Sequence, residues 1–134
     1  MSPAAASAAR FFLRPIGITF IPVGTRSSDA HSSMNIGNLF TAAEPPTQGE
    51  RFEELLSCRN LRIERIVSSS SIVSSEYNQE QDEWVALLRG EATLDIAGER
   101  VELRAGDHVF LPARTPHTVL RASQGALWLA IHLR

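Results

Sequence analysis

Two side chains in the second half of the chain could do chemistry together, Glu83 and His117. Glu83 directly precedes an apolar segment, residues 84–88, and His117 follows Pro116 at the start of another extended segment, 118–122. Carboxylate and imidazole groups bind divalent metals, and they also exchange protons in catalysis. The same two residue types can form a buried pair that holds no metal. The sequence therefore predicts a polar site here, either a metal centre or a metal-free pocket.

Arg121 and His132 are the next candidates. If residues 117–121 alternate as a regular strand, Arg121 lies on the face of His117 and Val119. An inward arginine would bind a carboxylate or phosphate with two parallel hydrogen bonds, whereas an outward one would form a salt bridge near the strand end. His132 shares a face with Trp128, and we expect it at the surface end of its strand.

The segments that carry these residues are short and extended. Turns around Gly90, Gly98, Gly106 and Gly125 separate them. This spacing predicts an antiparallel sandwich or barrel and leaves no room for crossover helices. The fold class is therefore all-β, with predicted strands at 84–88, 92–96, 100–103, 108–111, 118–122 and 127–133.

The signal is weaker upstream of residue 76. Residues 61–66 alternate imperfectly and are predicted as a strand, and Ile72 and Val73 suggest a short strand within a serine run. In residues 52–58 the apolar side chains fall at helical spacing, so a short amphipathic helix is predicted there. We expect residues 1–35 to be a leader or extension, 36–59 an arm with this helix, and 60–134 the barrel.

Composition excludes several classes of function. All 13 basic residues are arginines, so no lysine is present to form a Schiff base or a phosphate-loop contact. A net charge of −2 argues against a nucleic-acid partner. The apolar run 11–23 is interrupted by Arg14, Pro15 and Pro22, so no membrane span is expected. The single cysteine, Cys58, and the poor match to a secretory segment favour the cytoplasm.

Two spacings in the second half of the chain match a known pattern. Six residues separate Glu83 from Gly90, and Gly106 is followed by Pro112 and then His117. This pattern resembles the cupin superfamily over about residues 60–133. The resemblance implies a single jelly-roll β-barrel with a pocket inside it.

The first of these motifs departs from the metal-binding members of that superfamily, in which two histidines one residue apart precede the glutamate. Residues 76–82 contain no histidine, and the matching pair is either Glu76 and Asn78 or Tyr77 and Gln79. Residues i and i+2 of a strand share a face, and an unbroken strand to Glu83 would favour Tyr77 and Gln79, although a bulge would reverse this. The segment also resembles a subgroup of small cupins in which an aromatic residue, an acid or amide, and a glutamine replace the histidine pair.

The resemblance implies a site but no substrate. A divalent ion such as Mn, Fe or Zn is expected, without an organic cofactor. The implied partners are a small anionic organic molecule and, through the arm at 36–41 and the strand at 127–133, a second copy in a homodimer. Enzymatic activity of the oxygenase, isomerase or lyase type is one interpretation, and a non-catalytic binding module is the other. The candidate metal ligands are Glu83, His117, Glu76 and Asn78, and the candidate ligand-binding residues are Arg121, Tyr77 and Gln79.

Overall fold

A computed structural model describes residues 34–134, which form nine β-strands. Their order along the chain is β1 (Glu50–Cys58), β2 (Leu61–Ser68), β3 (Glu76–Tyr77), β4 (Asp82–Arg89), β5 (Glu91–Ile96), β6 (Glu99–Arg104), β7 (His108–Leu111), β8 (His117–Ala122) and β9 (Ala126–Leu133). The predicted leader lies outside the described residues, apart from its last two positions. The described residues include no helix, and hence none that could cross a membrane.

The strands form two antiparallel sheets that face each other. One has five strands in the order β1-β2-β9-β4-β7, and the other has four in the order β3-β8-β5-β6. Alternate residues of each strand point between the sheets, where their apolar side chains are removed from water. The prediction of an all-β jelly-roll barrel is confirmed. The buried apolar core consists of Ile66, Val85, Leu87, Ala92, Leu94, Leu103, Leu111, Ala122, Ala126, Trp128 and Ala130.

The helix predicted at residues 52–58 is wrong, because this segment is most of β1. It pairs with β2, and the register shifts between Glu54 and Leu56. Phe52 faces the interior, whereas Leu55 and Leu56 are both exposed beside the bulge. The bulge adds one residue to the strand, so its apolar residues have the same spacing along the sequence as those on one face of a helix.

The short strand predicted around Ile72 and Val73 is also wrong. This serine-rich segment is the connection between the end of β2 at Ser68 and the start of β3 at Glu76. It is held by backbone hydrogen bonds to the residue before β1: Gly49 N donates to Ser71 O, and Ser69 N donates to Gly49 O.

A buried arginine fastens the arm that precedes β1. Arg65 is fully buried and forms an ion pair with Glu53 at 2.6 Å. Its guanidinium also donates to the carbonyl oxygens of Leu39, Thr41 and Ala42. Because a guanidinium has five donors in a fixed plane, one side chain can anchor a carboxylate and several carbonyls together. The arm therefore lies against the five-stranded sheet.

Candidate functional site

Glu83 and His117 meet inside the barrel, in a cavity of about 50 Å³. Glu83 is contributed by β4 of the five-stranded sheet and His117 by the start of β8 in the four-stranded sheet. Oε2 of Glu83 lies 3.7 Å from Nε2 of His117, and both residues are buried. The rest of the lining is largely apolar and includes Phe52, Val85 and Trp128. The predicted pairing of these two residues is present in the structure.

The ring of His117 is fixed by the turn before it. Its Nδ1 lies 2.9 Å from the carbonyl oxygen of Thr115. A carbonyl oxygen only accepts, so Nδ1 carries the proton and Nε2 keeps its lone pair towards Glu83. Burial lowers the pKa of His117 below its usual value, which favours this neutral form.

Glu83 is a buried acid that forms no ion pair with an arginine among residues 34–134. Burial raises its pKa from 4.5 to about 7, and a hydrogen bond from Gln79 opposes part of this rise. The negative charges of Glu64 and Glu50 raise it further, and the positive charge of Arg62 lowers it by the smallest of these contributions. At neutral pH the carboxyl group is therefore poised between its protonated and ionised forms.

Tyr77 and Gln79 are both buried beside the pair, and Tyr77 lines the cavity. Gln79 Nε2 donates to Glu83 Oε2 at 2.6 Å, and the Tyr77 ring stacks on His117 with 5.5 Å between centroids. The other amide atom, Gln79 Oε1, is buried and has no hydrogen-bond partner among residues 34–134. The alternative pair, Glu76 and Asn78, is only partly buried, and neither residue lines the cavity.

The structure places Arg121 outside the cavity. The register of β8 against β5 shifts, so that Leu94 pairs with Val119 but its neighbour Thr93 pairs with Arg121. The extra residue in β8 breaks the alternation, and both Leu120 and Arg121 are exposed. The expectation that Arg121 shares the face of His117 is therefore wrong because of this bulge.

His132 is buried rather than at the surface, which corrects a second expectation. Its exposure is 1%, and its Nε2 lies 3.6 Å from Oε1 of Glu64. Glu64 also pairs with Arg62, 3.1 Å from its Nε. Sequence reasoning did not single out Glu64 or Arg62. The available signal was their spacing of two residues on one strand, which places opposite charges on the same face.

No three residues among His, Cys, Asp and Glu are grouped to hold a metal ion within residues 34–134. Glu83 and His117 supply two ligands of the types that divalent ions use. A third protein ligand would have to be an amide or phenol oxygen, from Gln79 or Tyr77. Because no histidine pair precedes Glu83 in this chain, the available donors are one carboxylate, one imidazole and an amide or phenol oxygen.

Comparisons with known proteins agree with this architecture. The family model described as a cupin domain matches residues 66–132. A candidate mannose-6-phosphate isomerase from Ralstonia eutropha is 32% identical, with a TM-score of 0.65, and the match covers 73% of this chain and 96% of that one. Among the curated proteins there is no match.

Two more distant structures share the fold. An RmlC-like cupin from Shewanella frigidimarina has 18% identity and a TM-score of 0.60, covering 67% of this chain and 80% of that one. The cupin domain of an XRE family transcriptional regulator from Enterobacter cloacae has 18% identity and a TM-score of 0.55, covering 65% and 98%. The match to the family model and the 32% identical relative show that the chain belongs to the cupin domain family.

Proposed function

We propose that the barrel cavity binds a divalent metal ion through Glu83 and His117 and, with it, a small anionic organic molecule. The observation that carries the proposal is the approach of His117 Nε2 to Glu83 Oε2, 3.7 Å apart in an apolar cavity. The hydrogen bond from Nδ1 to a backbone carbonyl is the usual support of a metal-binding histidine.

Two features of the surrounding residues fit a metal ion. Glu83 is buried with its pKa raised to about 7, so a cation beside it would offset the cost of its charge. Gln79 Oε1 is buried without a hydrogen-bond partner among the described residues, and reversal of the amide would turn this oxygen towards Glu83. Tyr77 lines the cavity and holds the His117 ring by stacking. One nitrogen with oxygen donors favours Mn or Fe(II), and Zn is also compatible.

The metal would also account for anion binding. Glu83 and Glu50 line the cavity, and no arginine of residues 34–134 does. An anionic ligand would be repelled by these acids unless a cation is present. A bound divalent ion supplies that charge and can polarise a carbonyl or phosphoryl oxygen of the ligand. The Ralstonia relative supports this ligand class, because mannose 6-phosphate is a small organic anion.

A metal-free binding pocket is the second candidate, and the hydrogen bond between Gln79 and Glu83 favours it. At 2.6 Å this bond already satisfies one oxygen of Glu83 without an ion. A protonated Glu83 beside a neutral His117 would bind an uncharged polar ligand instead. This alternative describes a sensing or binding module without catalysis.

Elemental analysis of protein purified without chelator separates the two candidates. We expect about one equivalent of Mn, Fe or Zn in the wild type, lost in both Glu83→Gln and His117→Ala. His108→Ala is the matched control, because His108 is exposed on the outer side of β7 and should leave the metal in place. Absence of metal from the wild type, even after incubation with each ion, would support the metal-free pocket.

The outer face of the five-stranded sheet supports a homodimer as part of the same proposal. A row of apolar residues crosses all five strands, and each residue is paired with the next on the neighbouring strand: Leu56, Ile63, Ile131, Trp84 and Phe110. Its ends, Leu56 and Phe110, are 45% and 56% exposed. A second copy could cover this row and bury it from water. A monomer mass in light scattering at micromolar concentration would contradict this part.

A further inference from the structure

A second cavity lies where the turn between β1 and β2 meets the end of β9. Its volume is about 40 Å³, whereas a single water molecule needs roughly 10–15 Å³. Three arginines line it, Arg59, Arg62 and Arg134, together with Asn60 and His132. It shares no lining residue with the cavity around Glu83 and His117. We refer to it as the arginine cavity.

Three arginine side chains and no acidic side chain line the arginine cavity among the described residues. Glu64 pairs with Arg62 at 3.1 Å and accounts for one of the three guanidinium groups. Within the part of the chain that the structure describes, Arg59 and Arg134 take part in no ion pair. Arginine does not lose its proton in proteins, so both charges persist at any working pH. This is the reverse of the first cavity, which acids line.

The backbone around the arginine cavity is held in place by the fold itself. Asn60 Nδ2 donates to the carbonyl oxygen of Arg134 at 3.1 Å, and Arg134 N donates to Asn60 O at 2.9 Å. The ion pair with Glu64 fixes the Arg62 side chain. Groups that are ordered before binding lose less entropy when a ligand arrives.

The residue at the tip of the turn is also unusual. Arg59 has a φ of 56°, in the left-handed region where glycine and asparagine are preferred. An arginine at this position carries a backbone cost that a glycine would avoid. In return, the turn places an arginine among the residues that line the cavity.

We propose that the arginine cavity binds one small oxyanion, the phosphate or carboxylate group of a small molecule. Planar guanidinium groups bind both kinds of oxyanion through paired hydrogen bonds. The volume admits a group of this size and excludes a large ligand. This site is independent of the metal proposal, since the two cavities have separate linings and opposite charge.

Isothermal titration calorimetry on the full chain tests the site, with inorganic phosphate and succinate as separate probes at constant ionic strength. The test variant is Arg59→Gln with Arg134→Gln. The matched control is Arg100→Gln with Arg104→Gln, which removes two exposed arginines from β6 and the same total charge. Circular dichroism of each variant checks that the fold is retained.

We expect saturable binding of at least one probe, one per chain, in the wild type and the control. In the test variant the Kd should rise by about tenfold or more, because two charged donors are lost. The probe that binds identifies the oxyanion as phosphate or carboxylate. Absence of saturable heat with both probes, or an equal Kd in the test variant, would overturn the proposal.

Discussion

The barrel contains two histidine–glutamate pairs at nearly the same separation but in different surroundings. His117 and Glu83 are 3.7 Å apart, and His132 and Glu64 are 3.6 Å apart. The first pair lines a cavity to which no arginine in the described part of the chain contributes. In the second pair, Glu64 also contacts Arg62, and both members are almost completely buried.

The comparison shows that the third neighbour decides what such a pair can do. Arg62 compensates the charge of Glu64, so the second pair is complete as an ionic network. Glu83 has an amide as its neighbour instead, and burial raises its pKa to about 7. A carboxyl group whose pKa lies near neutral pH can bind either a metal ion or a proton. The two pairs are adjacent, since Glu83 and His132 are partners across β4 and β9.

The largest expected effect comes from removing the arginine that distinguishes the two pairs. Arg62→Met leaves the carboxylate of Glu64 buried beside a histidine alone. We expect a loss of about 3–5 kcal/mol in the free energy of unfolding, the usual cost of stranding a buried charge. Urea denaturation at pH 7.5 measures it. Arg100→Met, at an exposed position of β6, is the control and should change stability by less than about 0.5 kcal/mol.

A loss as small as that of the control would contradict the comparison. It would mean that Arg62 does not compensate Glu64, and that the two histidine–glutamate pairs are equivalent. The double variant Arg62→Met with Glu64→Leu sharpens the test. If the stranded charge is the cause, removal of Glu64 as well should restore part of the lost stability.

The next prediction concerns the pair of Glu83 and His117, whose contribution to the free energy of unfolding depends on pH. The folded protein keeps a proton on Glu83 that the unfolded chain has lost between pH 4.5 and about 7, so this group destabilises the fold as pH rises through that window. Glu83→Gln removes the ionisation. In metal-free protein we expect the variant to gain stability over wild type with rising pH, by as much as about 3 kcal/mol at pH 8.

Denaturation curves at several pH values, with chelator present, give this difference. Taking variant minus wild type cancels the titrating groups that do not contact Glu83. His117 contributes the opposite slope in both proteins: its pKa is lowered, so stability falls as pH drops below 6.5. If the difference in free energy of unfolding between variant and wild type stays constant from pH 4.5 to 8, the pKa of Glu83 is not raised by folding.

Most strands were predictable because their signals are local. Alternating apolar residues between Gly90, Gly98, Gly106 and Gly125 fixed the strands from β4 to β9 within a few residues. The error at residues 52–58 has a nonlocal cause. A bulge is defined by pairing with another strand, and β2 is what makes Leu55 an extra residue rather than part of a helix turn.

The candidate site, like the strands, was predictable where the signal is local. Glu83 and His117 follow from motif spacing. The choice between Tyr77 with Gln79 and Glu76 with Asn78 stayed open, because it depends on how the chain runs between β3 and β4. The burial of His132 does not follow from its own strand, because Arg62 and Glu64 come from β2, far earlier in the chain. Long-range pairing, rather than residue type, decided these positions.

The smallest expected effect concerns Arg121, which sequence alternation had placed beside His117. The bulge in β8 turns this side chain outward, and it is exposed. Arg121→Gln should therefore change stability by less than about 0.5 kcal/mol. It should also leave the metal content unchanged, whereas His117→Ala abolishes it. Elemental analysis of the two variants side by side makes this measurement. Loss of metal in Arg121→Gln would mean that β8 lacks the bulge and that the first pair has an arginine neighbour after all.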